Sequence, residues 1–424
     1  MNLKTLHNLF LECNAVSTDT RKIEKGDLFF ALKGDNFNGN TYAKQAIDKG
    51  AKYAVIDEKE FQSKHTILVE NVLVTLQNLA TYHRNYLKTP IVALTGSNGK
   101  TTTKELINAV LSKKYKTTAT KGNLNNHIGV PLTLLSLTKE TEIGIVEMGA
   151  NHQKEINFLC NIAFPDYGLI TNYGKAHLEG FGGVEGVIKG KSEMFTHLIK
   201  NNKTIFVNAN DPIQVEKTKS ANIVTFGNKH NNPDTIIDFL DAQPFVASKY
   251  NNLTINSQLI GDYNFNNISI AIAIGNYFKV ADSAIKSAIE SYVPSNNRSQ
   301  IIEKNTNKII LDAYNANPTS MQAALLNFEK QEGYKIAILG DMFELGDDAE
   351  VEHQNITDLA ISLNIDKVYL VGKNFFNSKI KSKKVKQFET FNHLNNELSL
   401  KNINNALVLI KGSRGMALER FLEA

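Results

Sequence analysis

The chain has 424 residues, 42% hydrophobic and 21% charged, an ordinary soluble composition but too long for a single core. Lys and Arg number 47 against 43 Asp and Glu, a net charge of +4 with no long run of one sign, which argues against a protein that coats nucleic acid. The only cysteines, Cys13 and Cys160, lack CxxC spacing and so argue against a disulfide framework or thiolate zinc site and for a reducing cytoplasm; no stretch reaches the ~18 uninterrupted apolar residues of a membrane span.

The opening MNLKTLHNLFLEC reads as a short amphipathic helix, not a signal peptide. DLFFALKG (27–34) reads as a strand closed by Gly34, and TYAKQAIDKGAKYAVID (41–57) as a helix, a glycine stop at Gly50 and a strand. Pro90 marks a boundary. From 91 to about 295 strands alternate with glycine-rich turns and helices: IVALT (91–95), IGIVEMG (143–149), YGLITN (167–172) and KTIFVNAN (203–210). Such runs predict a parallel sheet covered on both faces. A less regular segment near 230–258 predicts a β-excursion, and ISIAIAIGNYF (268–278) a buried helix. From about 298 a second series, KIILDAY (308–314), KIAILG (335–340), KVYLVG (367–372) and ALVLIKG (406–412), predicts another doubly wound sheet. The fold class is therefore α/β in three domains: a small N-terminal α/β domain (1–89), a central P-loop-type parallel-sheet domain (90–297) and a C-terminal Rossmann-like α/β domain (298–424).

The most informative stretch is TGSNGKTTT, between the strand at 91–95 and a helix beginning KELINAVLS. Position 94, where the usual phosphate loop has its first glycine, is Leu. The strand–loop–helix context still offers backbone amides and a helix N-terminus to phosphate, with Lys100 for the β/γ-phosphates and Thr101 for Mg²⁺. Glu147 ends a neighbouring strand, where an acid helps hold the metal. His177 lies in the loop after the 167–172 strand, at the sheet edge where ligands collect. Lys189 and Lys191 sit on a helix, where solvated lysines are the commoner outcome. Asn264 and Asn267, three apart, share a helix face, though Asn there is often only a cap. Arg298 stands at the entry to the last domain, Asp312 at a strand end suited to ribose hydroxyls, and Asp341 and Glu344 beyond another strand. Each is weak alone.

In order, TGSNGKTTT, GNLNNHIGVPLTLL, VEMGA, ITNYGKAHLEGFGG, KGKSEMF, GDYNFNN, LDAYNANP and ILGDMFELG resemble the Mur ligases, the ATP-dependent amide-forming enzymes of peptidoglycan precursor synthesis. The resemblance runs from STDTRKIEKGDLFFALKG to LIKGSRGMALE, and DAYNANP, GDMFELG and KGSRGMALE point to the member that adds D-alanyl-D-alanine to UDP-N-acetylmuramoyl-tripeptide. Folylpolyglutamate synthases share the loop but not the STDTRKI region. The resemblance implies that Gly96, Ser97, Asn98, Gly99, Lys100, Thr101 and Thr102 hold the ATP phosphates. It implies that Thr101 and Glu147 hold or flank one Mg²⁺, and that Glu147 and His177 help bind a second. Lys191, four residues before Phe195, takes the place of the lysine carbamylated in many members. Lys100, Glu147, His177 and Lys191 are thus the expected catalytic set. Asn264 and Asn267 fall where the family contacts adenine, and Arg298 and Asp312 where the third domain meets phosphate and ribose. Thr20, in the UDP-contacting STDTR segment, and Asp341 are the substrate candidates. NFNGNTY departs from the commoner Asp-Gly-His and leaves Asn40 without a clear role. The expected partners are the tripeptide nucleotide and D-alanyl-D-alanine, with no nucleic acid or membrane insertion, for a cytoplasmic monomer using ATP and Mg²⁺. A catalytically inactive nucleotide-sugar binder and a P-loop motor ATPase are the other classes, disfavoured by the complete residue set and by the altered loop.

Overall fold

The computed structural model describes residues 2–295 and 297–423, which form three large sheets in chain order and one two-stranded hairpin. The first is four parallel strands in the order Val16–Ser17, Leu28–Phe30, Tyr53–Ile56 and Thr66–Leu68. The DLFFALKG run is shorter than its sequence suggests: Lys33–Gly34 leaves the sheet to form a hairpin with Phe37–Asn38. The second sheet has nine strands, ordered Leu253–Asn256, Ala247–Tyr250, Thr235–Asp241, Asn222–Gly227, Thr204–Asn208, Tyr167–Ile170, Ile91–Thr95, Ile143–Glu147 and Thr117–Ala119. Seven of these are parallel, and the excursion near 230–258 supplies the antiparallel edge. The third sheet runs Gln300–Lys304, Asn307–Asp312, Ala406–Lys411, Tyr334–Gly340, Lys367–Val371 and Val385–Phe388, antiparallel only at its first pair.

Alternation along the strands divides the core. In the first sheet Phe29, Ala31, Ala54 and Ile56 form a private cluster, whereas Leu28, Phe30, Val55 and Ile67 face the other way. Leu94, Ile145 and Phe206 of the second sheet and Leu311, Ile338 and Ile410 of the third likewise fill private clusters. The opposite faces of all three sheets join one continuous cluster, which contains Ala93, Val146, Ile310 and Leu339. A strand buried on both sides needs apolar residues at every position, which explains the unbroken runs in the sequence. The helix Val72–Leu87 completes the first unit yet packs against the central helices Gly129–Leu135 and Glu155–Ala163. Its Arg84 pairs with Asp166 at 2.6 Å across that seam.

Both cysteines are free thiols, and no described helix is long and apolar enough to cross a membrane.

Candidate active site

A cavity of about 610 Å³ lies where the C-terminal ends of the central strands face the third sheet. That volume suits a small-molecule site, and its place fits the rule that open α/β sheets bind ligands beyond their strand ends. The loop after Ile91–Thr95 forms one wall. Leu94 belongs to the strand and is fully buried; the loop's first glycine is Gly96, at φ +143°, where a Cβ would fall 2.0 Å from Thr171 Oγ1. Gly99, at φ +77°, caps the helix Lys100–Leu111 without any side-chain cap, so the first-turn amides remain for an anion. A Cβ on Gly99 would come 2.4 Å from Asn267 Oδ1.

The loop is braced from the chain that follows Tyr167–Ile170. Ser97 Oγ donates to Gly174 O at 2.9 Å, and Asn98 N donates to Asn172 Oδ1 at 3.0 Å. Lys100 Nζ donates to the carbonyls of Gly96 (2.8 Å) and Ser97 (3.2 Å). Burial pushes its pKa below the usual lysine range; Arg298 adds to that and Glu147 opposes it. An anion beside Lys100 would restore its charge.

Glu147 is buried under the loop. Thr101 Oγ1 lies 3.0 and 3.2 Å from its two oxygens, and Asn125 Nδ2 donates to it at 2.8 Å. Among the described residues no group of three or more His, Cys, Asp or Glu could hold a metal alone. The hydroxyl and carboxylate are nevertheless hard oxygen donors of the kind Mg²⁺ takes alongside phosphates and water. The residues present therefore fit one Mg²⁺.

His177 lines the same cavity, but its Nδ1 is paired with Glu344 of the third unit rather than with Glu147. That hydrogen bond holds the Glu344 carboxyl below its usual range. Lys191 lies behind the wall. It is 1% exposed and donates to Ala150 O at 2.9 Å, with its Nζ 4.8 Å from the Phe181 ring centre. Among the described residues no carboxylate pairs with it, and burial, reinforced by Lys100, drives its pKa well down. Lys189, two residues earlier on the helix Val184–Lys200, is exposed.

Asn264 and Asn267 both line the cavity and bond to each other at 2.8 Å. They are not caps: the cap position is Tyr263, Asn264 Nδ2 donates to Ile260 O, and Asn267 Oδ1 accepts from Thr103. Across the cavity, the Arg298 guanidinium stacks 3.7 Å from the Tyr314 ring centre, and its Nε is buried without a partner. Asp312 accepts from Ser299 N at 3.1 Å and pairs with buried Lys411 at 2.5 Å.

Two expected residues lie elsewhere. Asp341 is buried in the third unit, where it accepts from the amides of Asn374 and Phe375, both at 3.0 Å. Its carboxylate serves the start of the helix Lys373–Phe376 and does not line the cavity. Thr20 sits in a short helical turn of the first unit, outside the cavity lining, with its carbonyl held by Lys49 at 2.9 Å. Asn40 is fully buried and locked to Asp57, as a structural residue is. Sequence reading passed over Asn125, Lys411, Tyr263, Tyr314 and Asn317, all of which line the cavity. All five stood within quoted motifs, Lys411 in LIKGSRGMALE, but none was singled out there as a site residue.

Comparison with known proteins extends this geometry. Residues 12–85, 94–275 and 297–414 match profiles described respectively as the Mur ligase family catalytic domain, the Mur ligase middle domain and the Mur ligase glutamate ligase domain. The UDP-N-acetylmuramoyl-tripeptide–D-alanyl-D-alanine ligase of Bacillus subtilis is 35% identical over 97% of this chain and 92% of its own. The crystal structure of MurF from Acinetobacter baumannii superposes with a TM-score of 0.86 at 30% identity, covering 100% of this chain and 98% of that one. MurF ligase from Thermotoga maritima, solved in complex with ADP, superposes at 0.82 with 28% identity over 98% and 97% of the two chains. With three successive segments matched and full-length relatives at this identity, the chain belongs to the Mur ligase family, in its UDP-N-acetylmuramoyl-tripeptide–D-alanyl-D-alanine ligase branch.

Proposed function

We propose that this chain is the ATP-dependent ligase that joins D-alanyl-D-alanine to UDP-N-acetylmuramoyl-tripeptide, giving the pentapeptide precursor of peptidoglycan and releasing ADP and phosphate. The observation that carries this reading is its full-length relationship to such ligases, together with a phosphate loop that shares one cavity with the third unit.

An amine cannot displace oxide from a carboxylate at neutral pH. A carboxylate oxygen of the tripeptide instead attacks the γ-phosphorus, the bond from that phosphorus to the β,γ-bridging oxygen breaks, and ADP leaves. The dipeptide nitrogen then attacks the acyl phosphate carbon, loses a proton, and phosphate departs. The first step brings two anions together, a repulsion of about 4 kcal/mol at ~4 Å and an effective dielectric of 20. The loop amides from Gly96 to Thr102 and the Lys100 ammonium offset it at the phosphates. Arg298 and Asp312 serve the phosphate and ribose, and Asn264 and Asn267 the adenine. Mg²⁺, when bound, would neutralise phosphoryl oxygens as a Lewis acid; Thr101 and Glu147 would hold one ion, and the family resemblance alone assigns Glu147, His177 and a carbamylated Lys191 to a second, for which His177 would have to leave Glu344. Lys191 suits that modification, because burial without a counter-ion lowers its pKa and so favours the neutral amine, the form whose nitrogen attacks CO₂ with release of a proton. Residues 1–89 take the UDP end, with Thr20 on that side, and the chain works as a cytoplasmic monomer.

ADP release should require both UDP-N-acetylmuramoyl-tripeptide and D-alanyl-D-alanine. Release with a folate and glutamate instead would transfer the chain to the folylpolyglutamate synthases.

A further inference from the structure

Asn317 lies within the DAYNANP motif but has no part in the mechanism above. It is the N-cap of the helix Pro318–Glu329, with its Oδ1 accepting from Ser320 N at 2.9 Å in a capping box. That bond fixes the amide's orientation and leaves Nδ2 as the outward group. Nδ2 donates 2.7 Å to Asn98 Oδ1 in the phosphate loop. Two residues on, Thr319 Oγ1 accepts from Lys175 N at 2.9 Å, in the segment whose Gly174 carbonyl holds Ser97. One helical turn of the third unit therefore touches the phosphate loop directly and through its brace.

Asn98 is correspondingly constrained. Its N–H is held by Asn172, its carbonyl by Thr171 Oγ1 (2.6 Å) and Asn172 Nδ2 (3.0 Å), and its Oδ1 by Asn317. Only its Nδ2 is buried without a partner. An unpaired buried donor is costly, and a phosphoryl oxygen is the acceptor this loop is built to receive.

We infer that Asn317 is a positioning residue that docks the third unit on the phosphate loop and so sets the affinity for nucleotide. The inference rests on the reading of this loop as the ATP site. A hydrogen bond between neutral amides shifts an equilibrium by about two- to tenfold. If the docked arrangement is the nucleotide-binding one, losing the bond weakens nucleotide binding by up to that factor, and saturating nucleotide restores docking by mass action.

N317S is the test. Serine caps as well as asparagine but is too short to reach Asn98. With ADP alone as the calorimetric probe, N317S should bind about two- to tenfold more weakly than the wild type at an unchanged melting temperature. In turnover, KM for ATP should rise by the same factor while kcat stays within about twofold. A merely structural role would reduce the active fraction and lower kcat at constant KM. N98A removes the acceptor without touching the cap, so N317S added to N98A should weaken ADP binding no further. Equal ADP affinity in N317S and wild type, a fall in kcat without a change in KM, or effects of N317S and N98A that multiply would each overturn the inference. Wild-type failure to release ADP with tripeptide and dipeptide would instead count against the ligase reading, and the ADP titration would still decide this one.

Discussion

Replacing Lys191 separates its chemistry from its packing. Its Nζ lies over the Phe181 ring and donates to one carbonyl, that of Ala150. Lys191→Ala removes three methylenes from a buried site, roughly 2.4 kcal/mol at about 0.8 kcal/mol each. The lost hydrogen bond costs about 1 kcal/mol, and removal of a buried amine without a counter-ion returns a similar amount. The net loss of about 2 kcal/mol should lower the melting temperature by roughly 4–8 °C. Lys191→Met keeps the stem's volume and should melt within about 2 °C of the wild type. Both should lose ADP release by at least about two orders of magnitude, the scale of losing a transition-state charge contact. Acetate or formate should partly restore Lys191→Ala, whose cavity admits a small carboxylate, but not Lys191→Met, which fills it. The two variants should also differ from wild type in pH dependence. Burial depresses the folded-state pKa, so between that value and about 10.4 the unfolded chain holds a proton the folded one lacks. Wild-type stability therefore rises with pH across that window, and both variants lose this gain. Wild-type turnover in Lys191→Met would remove the carbamate from the account.

Three further outcomes are expected. Chelation of divalent cations should abolish ADP release and added Mg²⁺ restore it; Glu147→Gln should raise the Mg²⁺ concentration for half-maximal activity by more than about tenfold, since one of two hard donors loses its charge, and an unchanged requirement would shift the metal elsewhere. Lys411→Met should cost about 3 kcal/mol in a urea titration, because Asp312 keeps only the Ser299 amide and its charge is left poorly paired; a loss under about 1 kcal/mol would mean that solvent screens the pair. His7, bonded to His83 at 3.0 Å between the helices Leu3–Leu11 and Val72–Leu87, is pushed down to about 4, burial being the main cause and His83 the second. Its contribution to stability is complete above about pH 6.5 and falls away as pH drops towards 4. His7→Phe should flatten that part of the stability profile, and an equally steep profile would exclude His7 as its source.

The strands with unbroken apolar runs were legible because burial on both faces leaves little freedom of composition. Thr117–Ala119 and Val385–Phe388 were passed over because short edge strands carry no such run, and DLFFALKG was read too long because a strand and a hairpin arm adjoin without a polar break. The strand–loop–helix turn at TGSNGKTTT was legible because Gly96 and Gly99 answer local backbone needs. Asp341 was misplaced for the opposite reason: a carboxylate after a strand looks the same whether it faces a ligand or a neighbouring helix start. Lys191 and Lys189 differ by two positions on one helix, and only the packing of Phe181 and Ala150 buries the first while the second meets water. Composition, periodicity and local motifs by themselves determined an α/β chain with a glycine-bearing strand–loop–helix turn at TGSNGKTTT, because these depend on residues near in sequence; the ligase's set of reactive groups came from the resemblance alone. The tertiary structure alone decided which groups meet: Asp312 with Lys411, 99 residues apart, through the pairing of two strands of one sheet, and His177 with Glu344 and Asn98 with Asn317, 167 and 219 residues apart, through the docking of the third unit on the central one.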